Sequence, residues 1–155
     1  MIRILFICHG NICRSPMAEY ILKKRVCDSG LSDEILADSA ATSTEEIGNP
    51  VYPPAEKTLK AHAIPCPVRR ARQVVKEDYQ QFDMIIAMDR ANVRNLNRIF
   101  GGDPEGKIRL ISEYASFSGD VEDPWYTGAF ETVYRQLCDG CEGLMRALRR
   151  RMREL

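Results

Sequence analysis

The stretch Cys8-His9-Gly10-Asn11-Ile12-Cys13-Arg14-Ser15-Pro16 sets a thiol and a guanidinium six positions apart, with a helix-start pair immediately beyond. A cysteine attacks as its thiolate, and an arginine presents a planar fork that can hold two phosphoryl oxygens at once. The residues between them suffice for a loop whose backbone N–H groups turn inward above the positive end of a helix. Such a nest suits a tetrahedral dianion. Gly10 and Asn11 are residue types that tolerate the positive φ such a loop needs. Cys8 would then lie under the phosphorus, in line for attack, with its thiolate favoured by the same donors. A less basic thiolate is also a weaker nucleophile, so the expected benefits are positioning, charge stabilisation on the equatorial oxygens and easy departure of sulfur. A leaving alkoxide or phenolate also needs a proton. Asp123, in Glu122-Asp123-Pro124-Trp125-Tyr126, is the first candidate acid, and Asp89 the second.

The elements that must position these groups can be read from periodicity. Ile2 to Cys8 reads as a buried strand, followed by a helix from Pro16 to about Cys27 with Ser15 as its N-cap. Glu34 to Ser39 reads as a second strand, with a loop from Ala40 to Pro54 and a helix from Pro53-Pro54 to about His62. A short helix is expected around Lys76 to Gln81, then a third strand from Asp83 to Met88 and a helix from Arg90 to Phe100, ended by Gly101-Gly102. Lys107 to Ile111 gives the fourth strand. In the last helix Phe130, Val133, Leu137, Cys141, Leu144, Leu148 and Met152 keep the 3.6 period. Strands separated by helices predict an α/β fold over 1–155: a single three-layer domain with a four-stranded parallel sheet flanked by helices on both faces, flavodoxin-like or Rossmann-like. Ligands of such sheets sit beyond the carboxyl ends of the strands, which is where Cys8 leads. The 115 residues separating Cys8 from Asp123 are no obstacle, because loops at that edge converge.

Basic and acidic residues balance at 22 each, which removes the electrostatic case for nucleic-acid or anionic-membrane binding. An anion must therefore be held by a local device. No apolar run is long enough to span a bilayer, and the start MIRILFICHG turns polar too soon for a secretion signal, so a cytoplasmic location is expected. In that setting the six cysteines do not read as disulfides, and only Cys138 and Cys141 have a C-x-x-C spacing, short of a zinc site. Cys27, Cys138 and Cys141 fall on apolar helical faces and read as packing residues. The basic runs Arg69-Arg70-Ala71-Arg72 and Arg149-Arg150-Arg151 read as solvated surface, and His62 as a helix-end residue.

CHGNICRSP resembles the signature of the low-molecular-weight protein tyrosine phosphatases, and Asp123-Pro124-Trp125 resembles their acid loop. Asp38-Ser39-Ala40, Ala71-Arg72-Gln73, Lys76-Glu77-Asp78, Met88-Asp89, Leu96-Asn97-Arg98 and Phe130-Glu131-Thr132-Val133-Tyr134 extend the likeness over nearly the whole chain. The resemblance implies hydrolysis of phosphotyrosine monoesters, with Cys8 as nucleophile forming a cysteinyl-phosphate, Arg14 as clamp, and Asp123 as acid and then base. It places the phosphate in the loop His9, Gly10, Asn11, Ile12, Cys13, Arg14 and Ser15, between walls from Trp125 and Tyr126. Ser15 and Ser39 become loop supports, and Cys13 a partner for a reversible disulfide with oxidised Cys8. No metal or other cofactor is implied. The expected partners are a tyrosine-phosphorylated protein or peptide, with phosphate, sulfate or vanadate as site ligands, in a monomer or weak dimer that binds neither nucleic acid nor membrane.

Three positions depart from better-known members. His9 stands where an aliphatic side chain often lines the pocket, Glu45 where some members place an aromatic wall, and Arg69-Arg70 where a histidine usually precedes the Ala-Arg-Gln stretch. Relatives that prefer phosphoarginine carry threonine at the position of Ile12, so isoleucine favours phosphotyrosine. An arsenate reductase would need further cysteines near the end of the third strand, and 83–100 holds none. A silent phosphate-binding adaptor is disfavoured by the presence of Cys8, Arg14 and Asp123 together.

Overall fold

The structure, a computed structural model, describes residues 1–154. Apart from the exposed Arg3, β1 (Ile2–Cys8) consists of apolar residues buried on both faces: Ile4, Leu5, Phe6 and Ile7 are all fully buried, which is the demand a central parallel strand makes. It pairs in parallel with β2 (Ile35–Ala41) on one side and β3 (Met84–Ala87) on the other, and β4 (Ile108–Leu110) completes the order β2-β1-β3-β4.

Because successive side chains of a strand point to opposite faces, β1 feeds two cores. Ile4, Phe6 and Cys8 meet Met17 and Ile21 of α1 (Arg14–Asp28), Leu59 of α2 (Pro53–Ala61), and Leu137 and Leu144 of the last helix. Leu5 and Ile7 meet Tyr79 of α3 (Asp78–Gln81) and Leu96 and Phe100 of α4 (Arg90–Phe100). The outcome is the predicted three-layer α/β fold. Register places Cys8 opposite Ala41, and Ile7 opposite both Ala40 and Ala87, so three strands deliver their following loops to one edge.

Several boundaries differ from the sequence reading. α1 starts at Arg14, with Cys13 as an N-cap that makes no side-chain bond, so Ser15 is a first-turn residue and not the cap. Its hydroxyl is committed to Cys8 instead. β2 continues to Ala41, where the reading placed the start of a loop, because pairing with the full length of β1 extends it. Two short elements were not anticipated: a 3-10 turn at Ile111–Tyr114 and α5 (Pro124–Thr127), started by Asp123 as N-cap. The last helix, α6 (Phe130–Arg153), holds Gly140 and Gly143 within its interior. They cost helix propensity, but an added Cβ at Gly143 would lie 1.6 Å from the carbonyl oxygen of Tyr114, so the glycine permits the 3-10 turn to lie on the helix. Cys27 is exposed, contrary to the packing role read for it, whereas Cys141 is fully buried against the Ala18 carbonyl and Cys138 is half-buried.

Candidate active site

The loop after β1 closes over its own first residue. Asn11 takes φ of 60°, the left-handed region that asparagine tolerates, and this turns its N–H back to Cys8 Sγ at 3.3 Å. Ser15 Oγ lies 2.9 Å from the same sulfur. Asn11 Nδ2 donates to Ser15 Oγ at 2.8 Å, so the serine proton is free to point at sulfur. Two donors therefore converge on one sulfur. The N–H groups of Gly10, Ile12 and Cys13 find no acceptor among the described residues, and those of Arg14 and Ser15 belong to the open first turn of α1. These are the donors an anion above Cys8 would meet.

The Asn11 side chain is the hub of the support. Besides Ser15, Nδ2 donates to Ser39 Oγ at 2.9 Å, while Oδ1 accepts from Arg72 N at 3.2 Å, which fixes the orientation of the amide. Ser39 Oγ donates to Glu19 Oε1 at 2.6 Å, and Glu19 Oε2 is held by Lys23 Nζ at 2.6 Å. Arg69 Nη2 donates to the Asn11 carbonyl. Asn11, Ser15, Glu19 and Ser39 are all buried, so every polar group in this chain needs the partner it has.

Arg14, only 3% exposed, is aimed by its back edge. Nη1 donates to Asp89 Oδ2 at 2.7 Å and to the Val121 carbonyl at 2.9 Å, leaving the Nε–Nη2 edge for two oxygens of a ligand. Burial works against this cation and is outweighed by the negative charge at Cys8, by Asp89 and by Asp123, so its pKa rises above the usual arginine value. For Cys13 burial dominates, and together with the charges at Cys8 and Asp123 it holds the thiol far above its ordinary pKa. Cys13 is therefore a neutral thiol beside the loop.

The two candidate acids separate on geometry. Asp89 caps α4 by accepting from Asn92 N at 2.7 Å through Oδ1 and grips Arg14 through Oδ2, so both oxygens are committed. Asp123 accepts from Trp125 N at 3.1 Å through Oδ1 alone. Its Oδ2 stands 3.6 Å from Arg14 Nη2, beyond hydrogen-bond distance, and it lines the same pocket as Cys8. Ile12, Trp125 and Tyr126 line that pocket too, with Trp125 seated on Tyr52 at 4.6 Å between ring centroids.

The family model for "Low molecular weight phosphotyrosine protein phosphatase" matches residues 3–154. The chain belongs to this family. It is 40% identical over 152 residues to the low molecular weight protein-tyrosine-phosphatase YfkJ of Bacillus subtilis, covering 97% of each chain, and the YfkJ crystal structure superposes with a TM-score of 0.94. It is 42% identical over 147 residues to the human low molecular weight phosphotyrosine protein phosphatase, with 92% of each covered. A protein tyrosine phosphatase from Entamoeba histolytica, whose crystal structure has Hepes in the active site, matches with a TM-score of 0.91 at 31% identity. The protein is accordingly a protein-tyrosine phosphatase of the low-molecular-weight type.

Within this phosphatase the sequence-derived set Cys8, His9, Gly10, Ile12, Cys13, Arg14, Asp123, Trp125 and Tyr126 surrounds one pocket, with Asn11, Ser15 and Ser39 beneath it. Sequence reasoning missed Glu19, the anchoring role of Asp89, the Val121 carbonyl, and Arg69 and Arg72 as loop supports. Glu19 and Lys23 stand four apart in a helix, a spacing that signals an ion pair but not that Glu19 is buried. Asp89 with Asn92 carried a helix-cap signal, and the structure uses the second oxygen of that cap to aim Arg14. Among the described residues no helix is long and apolar enough to cross a membrane.

Proposed function

We propose that this phosphatase hydrolyses phosphotyrosine monoesters through a cysteinyl-phosphate on Cys8. The single observation that carries the reading is the pair of donors on Cys8 Sγ, from Asn11 N and Ser15 Oγ, beside an arginine whose free edge faces the same pocket. The thiolate attacks phosphorus and the bond from phosphorus to the phenolic oxygen breaks. Asp123, protonated at Oδ2, gives its proton to the departing phenolate. The resulting carboxylate takes a proton from water as that water attacks the phosphocysteine. The P–S bond then breaks, returning the thiolate and releasing inorganic phosphate. Arg14 and the loop N–H groups hold the three equatorial oxygens through both steps.

Ile12, Trp125 and Tyr126 around the pocket support an aryl substrate. Phosphate, sulfate and vanadate are the simple anions that fit the loop, and the Hepes bound by the Entamoeba relative carries a tetrahedral sulfonate of the same shape. Cys13 supports a protective role. If peroxide oxidises the Cys8 thiolate to a sulfenic acid, releasing hydroxide, the Cys13 thiol displaces water from it and forms a disulfide that an external thiol reduces.

The mechanism is tested with Cys8→Ser and Asp123→Asn on aryl phosphates of graded leaving-group pKa. Cys8→Ser should abolish turnover while vanadate still binds. Asp123→Asn should lose most on the poorest leaving groups. Retained turnover in the first variant, or equal losses for all leaving groups in the second, would remove these assignments.

A further inference from the structure

The pocket mouth has two unlike walls. Trp125 and Tyr126 are 48% and 82% exposed, an apolar face for a ring. The same pocket is also lined by the polar set His9, Glu45 and Glu46. His9 Nε2 lies 2.9 Å from Glu45 Oε2, with both side chains largely in solvent. The loop that carries these carboxylates is stitched to the phosphate loop: Ser43 N and Ser43 Oγ both donate to the His9 carbonyl, at 3.1 and 2.8 Å. Glu46 leans across Gly10, close enough that an added Cβ there would sit 3.2 Å from Glu46 Cγ, and its carboxylate accepts from Asn49 Nδ2. Thr42 N also donates to the Cys8 carbonyl at 3.0 Å, so the backbone carrying this wall is tied to the phosphate loop.

Arg14 is the only lysine or arginine lining this pocket, and it is committed below, to Asp89 and the ligand. The mouth therefore carries two carboxylates faced by one imidazole and one side-chain amide, with no lysine or arginine of its own. A phosphotyrosine with its phosphorus above Cys8 holds its Cα at the mouth, one para-substituted ring away from the loop floor. Side chains flanking it then pass over Glu45 and Glu46. A lysine or arginine gains attraction there, whereas an aspartate or glutamate meets two like charges.

We propose that the His9–Glu45–Glu46 wall is a substrate-selecting surface, which makes phosphotyrosine next to a lysine or arginine the preferred substrate of this enzyme. The proposal rests on the phosphotyrosine reading above. The wall acts on flanking side chains and leaves the chemistry of the phosphoryl group to the loop, so its effect belongs in the ranking of peptides and not in the rate on a bare aryl phosphate.

The test measures kcat/KM for three phosphotyrosine peptides that differ only in one neighbour, lysine, alanine or glutamate, with a small aryl phosphate as reference. Exposed charge pairs are individually weak, so two carboxylates should give the lysine peptide an advantage of about fivefold over the glutamate peptide at low salt, shrinking towards equality at roughly 0.5 M salt. Glu45→Lys, which leaves one charge of each sign, should bring the ratio close to one, and Glu45→Gln, which keeps the shape, should roughly halve it. A lysine-to-glutamate ratio near one in the wild-type enzyme, or a ratio unchanged by Glu45→Lys and Glu45→Gln whatever happens to the absolute rates, would overturn the proposal. Failure of the wild-type enzyme to hydrolyse any of the four substrates would instead refute the phosphotyrosine reading on which it stands.

Discussion

Replacing Asn11 with alanine removes the hub of the loop support while leaving Cys8, Arg14 and Asp123 untouched. Three hydrogen bonds go: to Ser15 Oγ at 2.8 Å, to Ser39 Oγ at 2.9 Å, and from Arg72 N at 3.2 Å. At about 1 kcal/mol net each, these amount to about 3 kcal/mol. Alanine must also hold φ of 60°, which adds roughly 1 kcal/mol over asparagine. The total, about 4 kcal/mol, is less than the ~5–15 kcal/mol stability of a typical domain, so the variant should still fold. With ~2–4 °C lost per kcal/mol in a chain of this size, Tm should fall by roughly 8–16 °C. Ser15 loses the bond that directs its proton to sulfur. If about 2 kcal/mol of the loss is expressed in the transition state, kcat/KM on an aryl phosphate drops about 30-fold. Thermal melts and steady-state kinetics read the two effects separately. Asn11→Gly loses the same bonds but not the strain, so it should melt a few degrees above Asn11→Ala. Ser39→Ala cuts the same chain one link further on, and the double variant should lose less than the sum of the singles. Tm within about 2 °C of wild type and kcat/KM within twofold for Asn11→Ala would refute the view that this network shapes the loop.

Gly143→Ala should cost more than an ordinary glycine-to-alanine change gains, because its Cβ meets the backbone of Tyr114 at 1.6 Å. A loss of at least about 3 kcal/mol is expected in denaturant melts, and Gly140→Ala should lose less, because its nearest contacts are side-chain atoms of Ile111, at 2.5 and 3.0 Å, and not backbone. Mild peroxide should inactivate the wild-type enzyme in a way that thiols reverse, with a Cys8–Cys13 link visible by peptide mass mapping. Cys13→Ser should make the loss less recoverable. Conversion of Cys8 to its neutral sulfenic acid removes one of the charges that keep Cys13 protonated, so Cys13 should give up its proton more readily once Cys8 is oxidised. Equal recovery in both proteins would remove Cys13 from redox protection.

The sequence by itself determined the order of the elements and the place of the chemistry. The apolar run from Ile4 to Cys8, in a chain where strands alternate with helices, points to a central parallel strand, and a cysteine at its carboxyl end leads to the ligand-binding edge of such a sheet. The Cys8 to Arg14 spacing and the Asp123-Pro124 turn were legible because they depend on local geometry: a loop wide enough for a dianion and a helix start just beyond it. The Ser15 boundary was misread for a related reason. A serine before proline is a good cap by propensity, and only the packed loop shows its hydroxyl drawn to Cys8 instead. What tertiary structure alone decided are the contacts between residues far apart in the chain. Glu19 supports the loop through Ser39 across a helix–strand contact, Asp89 and not solvent holds the back of Arg14, and the Glu45 loop is bonded to His9. Periodicity reports which face of an element is buried, but not which buried polar atoms meet, because that depends on how loops from β1, β2 and β3 converge at one edge.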